Sequence, residues 1–244
     1  MPIITLYGSK GGTGRTTAAA MLAQGLLSHG ANVTLVETVT DAEPHPLKRW
    51  CIDMAALSPR GDQLSYMSGP NSAAFSSLAD GIRTNERNFA IIDTGRYDTA
   101  ARTAAFAIAD LIIMPFTGFL DAKCGIDNAA IYLPEKHDIV GLAMHANREL
   151  STKVRACLPV LGTSLPNAPE FSLFSKAANA LTISMLSEAH DPYAGADDLS
   201  SRLFELATEV RSRAGANMQG LIKRPAPAAF SPGYEFQHSR LVMQ

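Results

Sequence analysis

Ser9-Lys10-Gly11-Gly12-Thr13-Gly14-Arg15-Thr16-Thr17 stands between the apolar run Ile3-Ile4-Thr5-Leu6-Tyr7 and an alanine-rich, helix-periodic run from Thr16 to Ser28. A short apolar strand, a glycine-rich turn and a helix start make the setting of a phosphate-binding loop. Glycines there let backbone N–H groups converge on an anion at a helix N-terminus. The stretch approaches the pattern G-x-x-x-x-G-K-[ST], displaced by one, with Gly8 and Gly14 as outer glycines and Arg15 in the lysine position. No other substitution bears more on function, because a guanidinium is planar, forked and bulkier than the compact ammonium such a loop accommodates.

Outward from the loop, strand and helix patterns alternate. Helical periodicity ends at Ser28-His29-Gly30, where Gly30 suits the residue after a helix end. The strand Asn32-Val33-Thr34-Leu35-Val36 leads to Glu37, and a polar, proline-containing stretch runs from Asp41 to Pro46. The chain resumes at Leu47-Lys48-Arg49-Trp50 and is least regular through Pro59, Gly61, Gly69 and Pro70. Helix patterns cover residues 73–82, 99–109 and 121–133; strand patterns cover 89–92, 111–114 and 138–144. Residues 160–163 suggest a last core strand, and 171–181 and 197–214 further helices. This alternation predicts an α/β fold, a doubly wound, mainly parallel sheet with helices on both faces.

At 244 residues, with 46% hydrophobic and 18% charged residues, the chain suits one large α/β domain over 1–214 followed by a tail over 215–244. The tail holds Pro225, Pro227 and Pro232 and a net charge of +2, the composition of a flexible or docking segment. No apolar run reaches the roughly 18 residues of a membrane helix, and the N-terminus enters a strand pattern directly, so a cytoplasmic protein without membrane contact is expected. Cys51, Cys124 and Cys157 are far apart and form no C-x-x-C pair, and they are expected to be buried small apolar residues. A net charge of −2 excludes a globally basic nucleic-acid coat and leaves room for a local patch, for which Arg202, Arg211, Arg213, Lys223 and Arg224 are candidates.

Further features support a nucleotide site. Ile91-Ile92-Asp93 is an apolar strand ending in a carboxylate, which places Asp93 at the C-terminal sheet edge beside the loop, where it can hold a Mg²⁺-bound water. Thr16 offers the hydroxyl that ligates Mg²⁺, or a helix N-cap, and Thr17 a second phosphate contact. The cofactor-binding set is therefore Gly11, Gly12, Thr13, Gly14, Arg15, Thr16 and Thr17, with Thr16 and Asp93 for metal.

Lys10-Gly-Gly-Thr-Gly-Arg15-Thr-Thr resembles the deviant Walker A motif K-G-G-x-G-K-[ST] of the ParA/MinD/Soj family. Thr34 to Glu37, Phe89 to Gly95 and Ala109 to Pro115 match its following strands, and the likeness covers about residues 2–214. It is nearest to small plasmid partition ATPases, ParF among them, and to the VirC-type ATPase of T-DNA transfer. The resemblance implies ATP and Mg²⁺ as ligands. It implies an ATP-dependent homodimer in which Lys10 reaches the partner's phosphates, and Asn147 as the residue reading the adenine edge. It implies nonspecific DNA and an adaptor or centromere-binding protein as partners.

The departures from the family point the other way. Arg15 replaces the lysine that contacts the β- and γ-phosphates. Glu37 stands where the second strand ends in a catalytic Asp, with Asp41 as a substitute from the insertion after it. A displacement of ~1 Å can cost ~100-fold in rate, so weak hydrolysis is expected. The sequence thus supports an ATP switch for DNA partition or transfer, with a non-hydrolysing scaffold or regulator as the alternative. A nitrogenase-type reductase would need cluster cysteines, for which Cys124 and Cys157 lack local context.

Overall fold

The computed structural model describes residues 2–8, 10–38, 45–57, 60–69, 72–95, 99–132, 138–144, 148–165 and 196–218. Its centre is a six-stranded, wholly parallel sheet. The strands are β1 (Ile3–Leu6), β2 (Asn32–Glu37), β3 (Leu64–Ser68), β4 (Asn88–Asp93), β5 (Leu111–Phe116) and β6 (Ile139–Ala143), in the order β3-β2-β4-β1-β5-β6. The helices are α1 (Arg15–Ser28), α2 (Pro46–Leu57), α3 (Ser72–Ile82), α4 (Thr99–Ile108), α5 (Phe119–Tyr132), α6 (Arg148–Arg155) and α7 (Ala196–Met218).

Burial on both faces explains the continuous apolar strands, as parallel sheets require. One face carries Ile4, Leu6, Val33, Leu35, Ile91 and Ile113 against α1, α2 and α7. The other carries Ile3, Val36, Ala90 and Ile92 against α3 and α4, and Ile112, Met114 and Phe116 against α5 and α6. The doubly wound α/β expectation is borne out. β1 lies between β4 and β5, the point where strand order reverses, and its C-terminal end opens on the crevice where such sheets bind ligands.

α1 is buried along Ala18 to Leu27 because it is sandwiched between the sheet and α7. Gly25 makes that close approach: a Cβ there would stand 2.3 Å from the Leu203 carbonyl oxygen and 3.0 Å from Ala207 Cβ. α7 is tied down further along. Arg213 grips Asp138 through Nε–Oδ2 at 2.7 Å and Nη2–Oδ1 at 2.9 Å, and Glu209 accepts from the N–H groups of Gly162 and Thr163.

Several expectations are corrected. The stretch taken as least regular holds α2 and β3. Leu47, Trp50, Cys51 and Met54 bury one helical face, with Pro46 in the first turn, where a missing N–H costs nothing. β3 escapes notice because it is an edge strand, half exposed and short of aliphatics. Residues 160–163 form no strand, only an isolated bridge from Val160 to Gly141 beside β6. α7 runs through Gly215 to Met218, four residues into the segment assigned to the tail. Of the cysteines only Cys51 is buried; Cys124 and Cys157 are exposed. The helix expected over 171–181 and the rest of the tail lie outside the described residues. No described helix is long and apolar enough to cross a membrane.

Candidate functional site

The loop leaves β1 at its C-terminal end, where the Tyr7 N–H still donates to the Ile113 carbonyl at 2.9 Å. Gly12 at φ 80° and Gly14 at φ 87° turn the chain through the left-handed region, which glycine enters without a Cβ penalty. A Cβ on Gly14 would also stand 2.7 Å from Met144 Cε, and one on Gly8 2.6 Å from Thr13 Oγ1. The displaced glycine is therefore needed for its small size. Gly14 is the N-cap of α1 and offers no side chain, and no acid sits in the first turn. The helix thus presents its N-terminal N–H groups and positive dipole end towards the loop, the local chemistry of an anion site. Thr13 is 2% exposed, and its hydroxyl has no hydrogen-bond partner among the described residues. A buried orphan donor in the loop fits a phosphate oxygen.

Beneath the loop, Thr16 Oγ1 donates to Asp93 Oδ2 at 2.6 Å. A hydroxyl and a carboxylate side by side are hard oxygen donors of the type Mg²⁺ takes. Asp93 is 7% exposed; burial pushes its carboxyl up, while the Arg15 charge and the Thr16 hydroxyl pull it down. The segment after it is pinned. Thr94 Oγ1 donates to the Leu6 carbonyl at 2.7 Å and the Gly95 N–H to Thr38 Oγ1 at 2.5 Å.

Arg15 turns to that pinned segment. Its guanidinium donates to the Thr94 carbonyl, with Thr94 Oγ1 and the Gly95 carbonyl each 3.4 Å from Nη1. Arg15 thus bridges the first turn of α1 and the chain after β4. Thr17 follows it in the same turn, half-buried.

Lys10 crosses the other rim of the loop to form an ion pair with Asp121 in the first turn of α5. Asp121 is 10% exposed in its side chain and also accepts from Thr117 Oγ1 at 2.5 Å. Burial pushes its carboxyl up, but the hydrogen bonds from Lys10 and Thr117 together hold it below the ordinary carboxylate value. Lys10 itself is 58% exposed.

Glu37 is the register partner of Asp93 and ends β2 on the same face of the sheet. It is 2% exposed and turned to α2 and β3. Its carboxylate accepts from Tyr66 Oη at 2.7 Å and from the Leu47 N–H at 3.4 Å, with His45 Nδ1 at 3.7 Å. Burial raises its pKa to about 7; the Tyr66 bond opposes the rise and the Asp93 charge adds to it. Tyr66 also meets His45 Nδ1 at 3.1 Å.

Gly11, Gly12, Thr13, Gly14, Arg15, Thr16, Thr17, Lys10, Glu37 and Asp93 therefore gather around one sheet edge. Asp41 and Asn147 lie outside the described residues. Asp121, Tyr66 and His45 are not among the residues the sequence singles out, and Thr94 enters there only inside the Phe89–Gly95 match, with no role of its own. For Asp121 the available signal is an acid in the first turn of the helix after a buried strand; Tyr66 had none, since its strand was missed.

No protein-family model matches the chain, and no curated protein matches it. Among solved structures it is similar to MinD from Pyrococcus horikoshii complexed with Mg-ADP, at 15% identity over 88% of this chain and 98% of that one, with a TM-score of 0.62. It is similar to the MinC:MinD cell division protein complex of Aquifex aeolicus, at 12% identity over 87% and 96%, with a TM-score of 0.63. It is also similar to pNOB8 ParA, at 14% identity over 90% and 99%, with a TM-score of 0.57. The chain thus has the fold of MinD and ParA proteins.

Proposed function

We propose that this protein is a ParA-like ATP-binding switch for plasmid or DNA partition or for DNA transfer, dimerising on Mg-ATP. The observation that carries the reading is the Thr16–Asp93 hydrogen bond beneath an uncapped helix N-terminus, at the sheet's reversal point. The N–H groups from Gly11 to Thr17 would cradle the phosphates, with the Thr13 hydroxyl supplying a further donor. Thr16 and Asp93 would hold Mg²⁺, which neutralises phosphate charge when bound. A relative of the same fold is complexed with Mg-ADP, which supports the ligand.

Lys10 is the residue assigned to the partner's phosphates in the dimer. Its exposure supports a side chain that changes partners, leaving Asp121 when a second copy docks. Asn147 is assigned to the adenine edge. Nonspecific DNA and an adaptor or centromere-binding protein are the partners this reading implies. Cytoplasmic location goes with it.

Hydrolysis is expected to be weak. Arg15 spends its guanidinium on Thr94 and Gly95, and Glu37, the assigned catalytic carboxylate, is engaged by Tyr66; Asp41 is the substitute. The same Arg15 contact favours the second reading, a non-hydrolysing scaffold or regulator.

Sedimentation velocity tests the switch. The wild type should sediment as a dimer with Mg-ATP and as a monomer with Mg-ADP, and Lys10→Ala should stay monomeric with either. A wild type whose sedimentation ignores nucleotide would leave the scaffold reading in its place.

A further inference from the structure

β3 is the last strand of the sheet on its side, and its outer edge pairs with no other strand among the described residues. Its sequence, Leu64-Ser65-Tyr66-Met67-Ser68, is uncharged and holds no proline, so it lacks the lysines and prolines that guard open edges. A groove of about 790 Å³ runs beside it, lined along residues 62–67 and by Ala74, Leu78 and Ile82 of α3. No lysine or arginine lines the groove, and Asp62 there meets no cation among the described residues. Gln63, just before β3, keeps a buried Oε1 without a hydrogen-bond partner among the described residues, and a buried acceptor in that state calls for an incoming N–H. Open backbone groups along an edge, an orphan acceptor at its start and a partly apolar groove beside it fit an extended peptide, which supplies N–H groups and alternating side chains.

Length and charge select the occupant. A five-residue edge is about 17 Å long, a small contact against the roughly 1,600 Å² that a stable pairing of two proteins buries. A segment of the same chain avoids that requirement, because tethering holds it at millimolar effective concentration. Residues 219–244 follow α7 with a net charge of +2, opposite to Asp62. The 12 residues after Pro232 hold no proline, and Tyr234-Glu235-Phe236-Gln237 alternates aromatic with polar, the pattern of a half-buried strand. Arg213 ties the end of α7 to Asp138 at the start of β6, five strand spacings or about 24 Å across the sheet from β3. The 16 residues from Met218 to Tyr234 span up to about 53 Å, which leaves room to pass around the domain.

We propose that the C-terminal segment at residues 234–237 adds to the open edge of β3 as a further strand, with Tyr234 and Phe236 directed to the groove beside α3. β3 carries Tyr66, whose hydroxyl engages Glu37, so the docked segment is linked through one side chain to the nucleotide end of the sheet. The contact needs no nucleotide and stands apart from the switch reading.

The test is hydrogen–deuterium exchange of the full chain without nucleotide, read on the peptide holding residues 64–68, with β1 as internal reference. At millimolar effective concentration, a segment that binds in isolation at about 0.1 mM is seated about ten times in eleven, and the amides it covers slow about 10-fold. Glu235→Pro/Phe236→Pro, which removes N–H groups on both sides of the segment, should therefore speed exchange in β3 about 10-fold and leave β1 unchanged. Ser77→Arg, which puts a bulky cation into the groove from an exposed position on α3, should do the same. Equal β3 exchange in the wild type and the proline variant would overturn the proposal. Protection in the wild type that fades on dilution from about 100 to about 1 μM would also overturn it and assign the edge to a second copy of the chain.

Discussion

Arg15→Lys separates two jobs that one side chain performs. In the folded chain the Arg15 guanidinium donates to the Thr94 carbonyl and lies 3.4 Å from Thr94 Oγ1 and the Gly95 carbonyl. All three contacts run from Nη1, and a lysine's shorter stem ends its ammonium short of that position, so the bridge is lost. A hydrogen bond from a charged donor contributes about 1.5–3 kcal/mol, less where water competes, and Arg15 is half-buried; the cost is therefore about 1–2 kcal/mol. For a chain of this size, that is a fall in Tm of roughly 2–8 °C. The ammonium freed from Thr94 would then be available to phosphate. Restoring misplaced geometry on the scale of ~1 Å is worth up to ~100-fold in rate. Thermal unfolding by circular dichroism and phosphate release with Mg-ATP should thus move in opposite directions, stability down and turnover up. Unchanged stability would refute the bridging role of Arg15, and unchanged turnover would shift responsibility for slow hydrolysis to Glu37 or Asp41.

Gly25→Ala should destabilise by roughly 1–3 kcal/mol, although alanine is the better helix former, because its Cβ would stand 2.3 Å from the Leu203 carbonyl oxygen and push α7 away. A raised Tm would contradict that packing. Glu37→Gln should change the pH dependence of stability. The carboxyl rises from 4.5 to about 7 on folding, so its contribution is complete below 4.5 and is lost as pH rises through 7. Urea unfolding should show the stability of wild type relative to the variant falling by about 3 kcal/mol between those limits. Parallel curves would show that Glu37 is not buried as described.

The sheet was legible at β1, β4, β5 and β6, whose central residues are apolar and buried on both faces, and at β2, where Val33, Leu35 and Val36 carry the strand pattern between polar Asn32, Thr34 and Glu37. It was illegible at β3, whose exposed edge leaves only Leu64 fully inside. α2 was missed although Leu47, Trp50, Cys51 and Met54 repeat at helical spacing, because the prolines and glycines around it suggested irregular chain. The phosphate loop was legible because its chemistry is local: glycines, a hydroxyl and a helix start within nine residues of sequence. Arg15 was identified as the unusual residue, but its partner was not, because Thr94 arrives through the pairing of β1 with β4. Asp121 and Tyr66 reach Lys10 and Glu37 only through the strand order, which no local pattern encodes.

The central claim is that an arginine-containing loop still cradles phosphates over a Thr16–Asp93 metal pair. Calorimetric titration with ATP and with ADP, each with and without Mg²⁺, on the wild type and on Asp93→Asn, tests it most directly. The account predicts saturable ATP binding that Mg²⁺ strengthens in the wild type, and loss of the Mg²⁺ dependence in Asp93→Asn. Absence of binding of either nucleotide up to millimolar concentration would contradict it, leaving the fold without its nucleotide chemistry.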